Sequence, residues 1–251
     1  MTRPVALVTG VGRTVGIGAA IALRLAEDGW DVTTTYWSAY DERMPWAPEP
    51  DGPTAVSDGL RERGARTLAV EADLSDVAAP AAVFDAAERE LGPVTALVMC
   101  HCESVDSGLL DTTVESFDRH YAVNVRAAWL LIKEYGGRSR PTSGTGRVVA
   151  LTSDAVVGNV PYGATKGALD RVVVASAREL AHLGVTANVV NPGPVDTGWM
   201  SEDLRATVAA QTPLGRGGTP ADTADLVSFL CSPAGGWING QLLNSDGGLH
   251  V

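Results

Sequence analysis

Lysine is nearly missing from this chain: of 19 basic residues in 251, only Lys133 and Lys166 are lysines. Positive charge of any kind is short, since 30 acidic residues leave a net charge of −11. Such a surface repels phosphate backbones and anionic lipid, which argues against nucleic-acid and membrane-surface roles. Three cysteines are too few for a disulfide framework in this length, so a reducing compartment and a cytoplasmic protein are expected. No apolar run approaches the roughly eighteen residues that a membrane span needs. The apolar stretch Val5-Ala6-Leu7-Val8 is likewise too short for a signal peptide. What remains is 45% hydrophobic residues and 28 glycines, the composition of a globular chain able to bury a large core.

Short β-rich runs alternate with longer helical patterns throughout. Strands are predicted at residues 4–9, 31–37, 66–70, 94–99, 147–151, 185–190 and 241–244. Helices are predicted at 17–28, 55–63, 77–91, 114–135, 162–182 and 221–231. Ile17, Ile21 and Leu25, for example, recur on one helical face before Gly29. This alternation predicts an α/β fold: a doubly wound, Rossmann-type parallel sheet with helices on both faces, as a single domain over 1–251. One segment stands apart. Residues 38–53 carry four prolines, Pro45, Pro48, Pro50 and Pro53, too many for a helix, and are long for a connection. They read as a surface insertion, or as a segment facing the ligand.

Two local patterns carry chemistry. The first is the loop Thr9-Gly10-Val11-Gly12-Arg13-Thr14-Val15-Gly16-Ile17-Gly18, between the first strand and the first helix. Glycines there allow a tight turn and close approach to a pyrophosphate, and the helix supplies free N–H groups. Gly10, Gly12, Arg13, Gly16 and Ile17 are the candidate cofactor-binding residues of this loop. The second is Tyr162-Gly163-Ala164-Thr165-Lys166, which sets a phenol and an ammonium four residues apart on one helical face. A nearby cation favours the phenolate, and a phenol of lowered pKa serves as an acid or base toward a carbonyl. With two lysines in the chain, chance gives a Tyr-to-Lys spacing of four only about 4% of the time.

These motifs, with others spread over the whole length, make the chain resemble the short-chain dehydrogenase/reductase family in its compact form. It is similar to 3-oxoacyl-[acyl-carrier-protein] reductases. The resemblance implies hydride transfer between a nicotinamide and a carbonyl or secondary alcohol. Tyr162 is then the acid/base, Lys166 the group that lowers its pKa and binds the nicotinamide ribose, and Ser153 the hydroxyl that orients the substrate. Asn124, in Tyr121-Ala122-Val123-Asn124, is then the residue holding a relay water. The resemblance also assigns Asp73 to the adenine, and Pro192, Gly193, Val195 and Thr197 of the Asn191–Thr197 segment to the nicotinamide. Gly240-Gln241 and Asp246-Gly247-Gly248 resemble the C-terminal strand signature.

Four departures from the family pattern are visible. Five residues separate Gly10 from Gly16, a longer loop than usual, which lets Arg13 or Thr14 reach phosphate. Met99-Cys100-His101-Cys102 replaces the family's Asn-Asn-Ala-Gly. Thiols and imidazole suit zinc, but neighbouring positions on a strand face opposite ways and no second ligand pair follows, so packing and a reshaped cofactor wall are expected instead of a metal. Only eight residues separate Ser153 from Tyr162, so the connection is tight and Thr152 is a reserve hydroxyl. Finally, the end of the second strand, Tyr36-Trp37-Ser38, lacks the acid that binds an NAD ribose, while Arg13 and Arg43 lie close in sequence. This inclines the cofactor toward NADP(H) over NAD(H), although Asp41 and Glu42 follow.

Residues 197–217, with Trp199, Met200 and Leu204, fall where the family places a substrate lid. The substrate is expected to be a small carbonyl or alcohol, an acyl thioester among the candidates. An enoyl reductase is disfavoured because that group spaces its Tyr and Lys farther apart. The rival from another class is a dinucleotide-binding sensor or scaffold without catalysis, and the Met99–Cys102 segment is its best support. By resemblance, the helices at 114–135 and 162–182 pair subunits into a homodimer or homotetramer.

Overall fold

The structure, a computed structural model, describes residues 3–46, 49–138 and 145–250. Seven strands form one parallel sheet: β1 (Val5–Thr9), β2 (Asp31–Tyr36), β3 (Thr67–Glu71), β4 (Val94–Met99), β5 (Gly146–Leu151), β6 (Val185–Asn191) and β7 (Leu242–Asn244). Their spatial order is β3-β2-β1-β4-β5-β6-β7. The order reverses between β1 and β4, and ligands of such sheets bind at the carboxyl ends of the strands beside that reversal.

The helices are α1 (Ile17–Glu27), α2 (Ser38–Asp41), α3 (Gly52–Glu62), α4 (Ala79–Glu90), α5 (Val114–Tyr121), α6 (Ala127–Arg138), α7 (Val160–Glu179), α8 (Glu202–Gln211) and α9 (Pro220–Cys231). They cover both faces, because the strand residues alternate between two cores. Val5 and Leu7 of β1 pack with Phe84 of α4, Leu131 of α6 and Val173 of α7. Ala6 and Val8 face the other way, toward Ile21 and Leu25 of α1, Leu60 of α3 and Val227 of α9. None of the described helices is long and apolar enough to cross a membrane.

Three elements differ from the sequence-based expectation. Residues 114–135, predicted as one helix, are broken by a π-helical turn over Ala122–Arg126 that joins α5 to α6. Residues 38–53, predicted as non-helical, begin with the single turn α2, which ends before the first proline. The segment also ends in helix, because Pro53 lies in the first turn of α3, where proline is tolerated. The lid region holds an unpredicted helix, α8, started by Ser201, whose side chain accepts from Leu204 N.

Candidate active site

The catalytic candidates converge at the ends of β4 and β5 and the start of α7. Asn159 caps α7: its Oδ1 accepts from Tyr162 N, while its Nδ2 donates to Ser104 Oγ at 3.2 Å and to Asp106 Oδ1 at 2.6 Å. Pro161 stiffens the same first turn. Tyr162 is therefore fixed at the mouth of the sheet by a cap that is itself tied to the chain leaving β4. Gly163 answers the short connection after Ser153, because a Cβ there would lie 2.0 Å from the Ala155 carbonyl oxygen. The tight loop is held by Ala155 N donating to Ser153 Oγ at 3.2 Å, and it sets the Ser153 hydroxyl beside the Tyr162 phenol. Thr152 is no substitute: its hydroxyl donates to the Lys166 carbonyl at 3.4 Å.

Lys166 is only 3% exposed. Its Nζ donates to the Leu151 carbonyl at 2.8 Å and lies 5.4 Å from the centre of the Tyr162 ring. Burial lowers the pKa of this ammonium, opposed by nearby Cys102, Cys100 and Asp170. Burial likewise raises the Tyr162 phenol well above its ordinary value. Cys102 and Asp154 add to the rise, and the hydrogen bond from Ser153 opposes it. Ser153 is the neighbour that pulls the phenol down.

Asn124 sits in the π-helical turn and is 1% exposed. Its Oδ1 accepts from Glu103 N at 2.7 Å; its Nδ2 donates to the Glu103 carbonyl at 2.9 Å and to Thr165 Oγ1 at 2.9 Å. The amide therefore clamps the chain leaving β4 onto α7, one residue before Lys166.

His101 turns out to be structural, and its two partners were not evident from sequence. Its Nε2 donates to the Val123 carbonyl at 3.1 Å, which makes Nδ1 the acceptor of the Thr9 hydroxyl at 2.6 Å. Burial pushes the ring's pKa down to about 3, so it stays neutral. His101 thus joins the end of β1 to the π-helical turn. Cys102 is half-buried, and burial raises its thiol pKa.

The glycine loop fits a pyrophosphate. Gly10 has φ +75°, and a Cβ on it would meet His101 N at 2.6 Å; a Cβ on Gly18 would meet the Gly10 carbonyl at 2.7 Å. Gly16 caps α1 without any side-chain hydrogen bond, which leaves the first-turn N–H groups beginning at Ile17 to a ligand. Gly12 packs against Asp41, whose Oδ2 would be 2.5 Å from a Cβ. On the nicotinamide side, Gly193 (φ +64°) lies against Asp246, and Val195 is buried. Pro192 and Thr197 flank the same segment after β6. The Asp73 Oδ1 accepts from Ser75 N at 2.9 Å.

The end of β2 is charged on both sides of Trp37. Arg43 and Arg119 lie 5.6 and 4.7 Å from its ring centre. Both guanidiniums reach buried Glu103, Arg43 through two bonds of 3.0 Å and Arg119 through one of 3.1 Å.

Residues 10–250 match the family model described as enoyl-(acyl carrier protein) reductase. The chain is 34% identical to an uncharacterized oxidoreductase, YjdA, of Bacillus subtilis over 97% of its own length and 96% of that protein's. The chain is a short-chain dehydrogenase/reductase. It is also 35% identical to an NADPH-dependent aldehyde reductase-like protein of Arabidopsis thaliana, covering 97% and 93% of the two chains. Among solved structures it is similar to a blue fluorescent protein from a metagenomic library in complex with NADPH, with TM-score 0.87, 34% identity, and 100% and 99% of the two chains covered. As a member of this family it is an NAD(P)(H)-dependent oxidoreductase.

Proposed function

We propose that this reductase uses NADP(H) to interconvert small carbonyl compounds and their alcohols, with Tyr162 as acid and base. The observation that carries the reading is the convergence of Tyr162 with Ser153 and with buried Lys166, whose Nζ lies 5.4 Å from the centre of the phenol ring. Two hydroxyls converging on one point polarise a carbonyl oxygen, and the phenol supplies the proton as the oxygen gains charge. When bound, the nicotinamide supplies the hydride or receives it. Ser153 orients the oxygen; Lys166 holds positive charge beside the phenol; Asn124 keeps α7 and the chain after β4 in register. The pairing of Ser153 with Tyr162 also favours a carbonyl over a carbon–carbon double bond, and a functioning enzyme over a scaffold.

In this reading Gly10, Gly12, Gly16 and Ile17 hold the pyrophosphate, Asp73 the adenine, and Pro192, Gly193, Val195 and Thr197 the nicotinamide. NADP(H) is supported by the absence of an acid among Tyr36, Trp37 and Ser38, by Arg43 at that edge, and by the NADPH named for the relatives. Residues 197–217 act as the substrate lid, and Trp199, half exposed, gives it an apolar inner surface. Aldehydes and ketones are the first substrates to try, with acyl thioesters after them. Exposed Val114, Phe117 and Tyr121 of α5 and Trp129 of α6 support a homodimer or homotetramer. Three free cysteines, Cys100, Cys102 and Cys231, support a reducing, cytoplasmic setting.

The test is a titration of the purified protein with NADPH and with NADH, followed by tryptophan fluorescence. A screen of aldehydes and ketones for loss of reduced-nicotinamide absorbance comes next. Saturable binding with NADPH preferred, and turnover of a carbonyl, is the expected result. Binding of neither cofactor would overturn the reading.

A further inference from the structure

The extra length of the glycine loop has a definite destination. Arg13 leaves the loop and donates through Nη1 to the Thr197 carbonyl at 3.1 Å. Its guanidinium stacks 4.6 Å from the centre of the Trp46 ring and lies 3.7 Å from Asp41 Oδ1. The side chain is 14% exposed, unusually well enclosed for an arginine beside a ligand cleft. Asp41 is held in turn by Trp46 Nε1 at 3.1 Å. The neighbouring Thr14 binds Glu49 through both its N–H and its hydroxyl, each at 2.8 Å. Arg13 therefore joins three separate stretches of chain: the glycine loop, the segment after β2, and the start of the lid.

Thr197 is the last residue before Gly198, which has φ +91° and lies within 3.9 Å of Arg13 Nη1 through a notional Cβ. A positive φ at that point is where the lid departs from the body of the protein. Arg13 thus spans the gap between the glycine loop and the segment ending at Thr197. The end of β2, where a 2′-phosphate is read, belongs to Arg43.

We propose that Arg13 binds the cofactor's pyrophosphate and the lid hinge together, with Asp41 as the counter-ion that the pyrophosphate displaces. The inference rests on the dinucleotide reading above. A planar fork with five donors can hold a phosphate oxygen and the Thr197 carbonyl at once, whereas a carboxylate at 3.7 Å is a loose partner. Cofactor binding then fixes the hinge. Arg13 is a positioning residue, and it serves the part of the cofactor that NADPH and NADH share. That differs from the 2′-phosphate role suggested by its place in the sequence.

The experiment compares wild type, Arg13→Gln, Arg13→Lys and Asp41→Asn, each confirmed folded by circular dichroism. Dissociation constants for NADPH and NADH are read from tryptophan fluorescence, and tryptic cleavage after Arg205 in the lid is timed at saturating cofactor. Arg13→Gln is expected to weaken both cofactors by the same factor, about tenfold. It also leaves the Arg205 bond as labile with saturating cofactor as without it. Arg13→Lys loses about threefold, because charge remains and the fork does not. Asp41→Asn tightens both cofactors, since the competing carboxylate is gone. A loss confined to NADPH, a lid protected normally in Arg13→Gln, or weaker binding in Asp41→Asn each overturns the proposal. If wild type binds neither cofactor, the dinucleotide reading itself fails, an outcome distinct from these.

Discussion

The two ends of the cofactor cleft are built from different materials. At the proposed catalytic end, Lys166 and Asn124 are held by hydrogen bonds to backbone and hydroxyl groups, one for Lys166 and three for Asn124. No carboxylate makes a salt bridge to Lys166 among the described residues. At the glycine-loop and β2 end, arginines stack on Trp37 and Trp46 and share carboxylates from distant parts of the chain. The first arrangement leaves charge weakly compensated and therefore reactive. The second pairs its arginines with carboxylates and, in the proposed reading, serves recognition.

The contrast breaks first at Tyr162. Tyr162→Phe should lower turnover about 10³-fold, roughly 4 kcal/mol of barrier, while NADPH affinity stays within about twofold of wild type. Steady-state kinetics with a fluorescence titration checks both. Comparable losses in each would put the phenol in binding instead of chemistry.

His101 tests the catalytic end as structure. Replacing it with Ala strands the Thr9 hydroxyl and the Val123 carbonyl and opens a cavity, a cost of about 3 kcal/mol in denaturant unfolding. The wild type should also lose stability in acid. The ring's folded pKa is about 3, below its unfolded value near 6.5. Between those values the unfolded chain holds the extra proton, so stability is intact above pH 6.5 and declines by up to about 1.4 kcal/mol per unit as pH falls toward 3. The His101→Ala variant should show a shallower decline.

Ser153 sharpens the reactive side. Because the phenol sits above its ordinary value, reduction should be insensitive to pH through neutrality, and alcohol oxidation should climb as pH rises. Removing the hydroxyl in Ser153→Ala takes away the neighbour that lowers the phenol, so the oxidation limb is expected to move to higher pH and kcat to fall about tenfold. An unshifted limb would detach Ser153 from the phenol's ionisation.

The smallest effect belongs to the compensated end. Arg43→Ala should cut the preference for NADPH over NADH about fivefold, near 1 kcal/mol, because Arg43 is partly solvated and Arg119 remains on Glu103. The effect should shrink at high salt, whereas that of Tyr162→Phe should not.

The alternating strands, the glycine loop and the Tyr162–Lys166 spacing were legible in the sequence because each is a local pattern with its own period or spacing. The contacts of His101 were not: they depend on β4 lying beside β1 and on a π-helical turn that puts the Val123 carbonyl within reach. Arg13 carries the same lesson, since its partners lie 28 and 184 residues away. Four prolines concealed α2, because the turn ends before the first of them. The short connection after Ser153 packs against α7 at Gly163, a requirement visible only once the Ala155 carbonyl is seen crossing that helix.

Scarcity of lysine has a practical side. Lys133 stands exposed on α6, while Lys166 is sealed between β5 and α7. An amine-acylating reagent applied to the folded protein marks the first freely and the second only when the catalytic centre opens. The ratio of label on the two peptides, read by mass, would time that opening with no probe added and no residue changed.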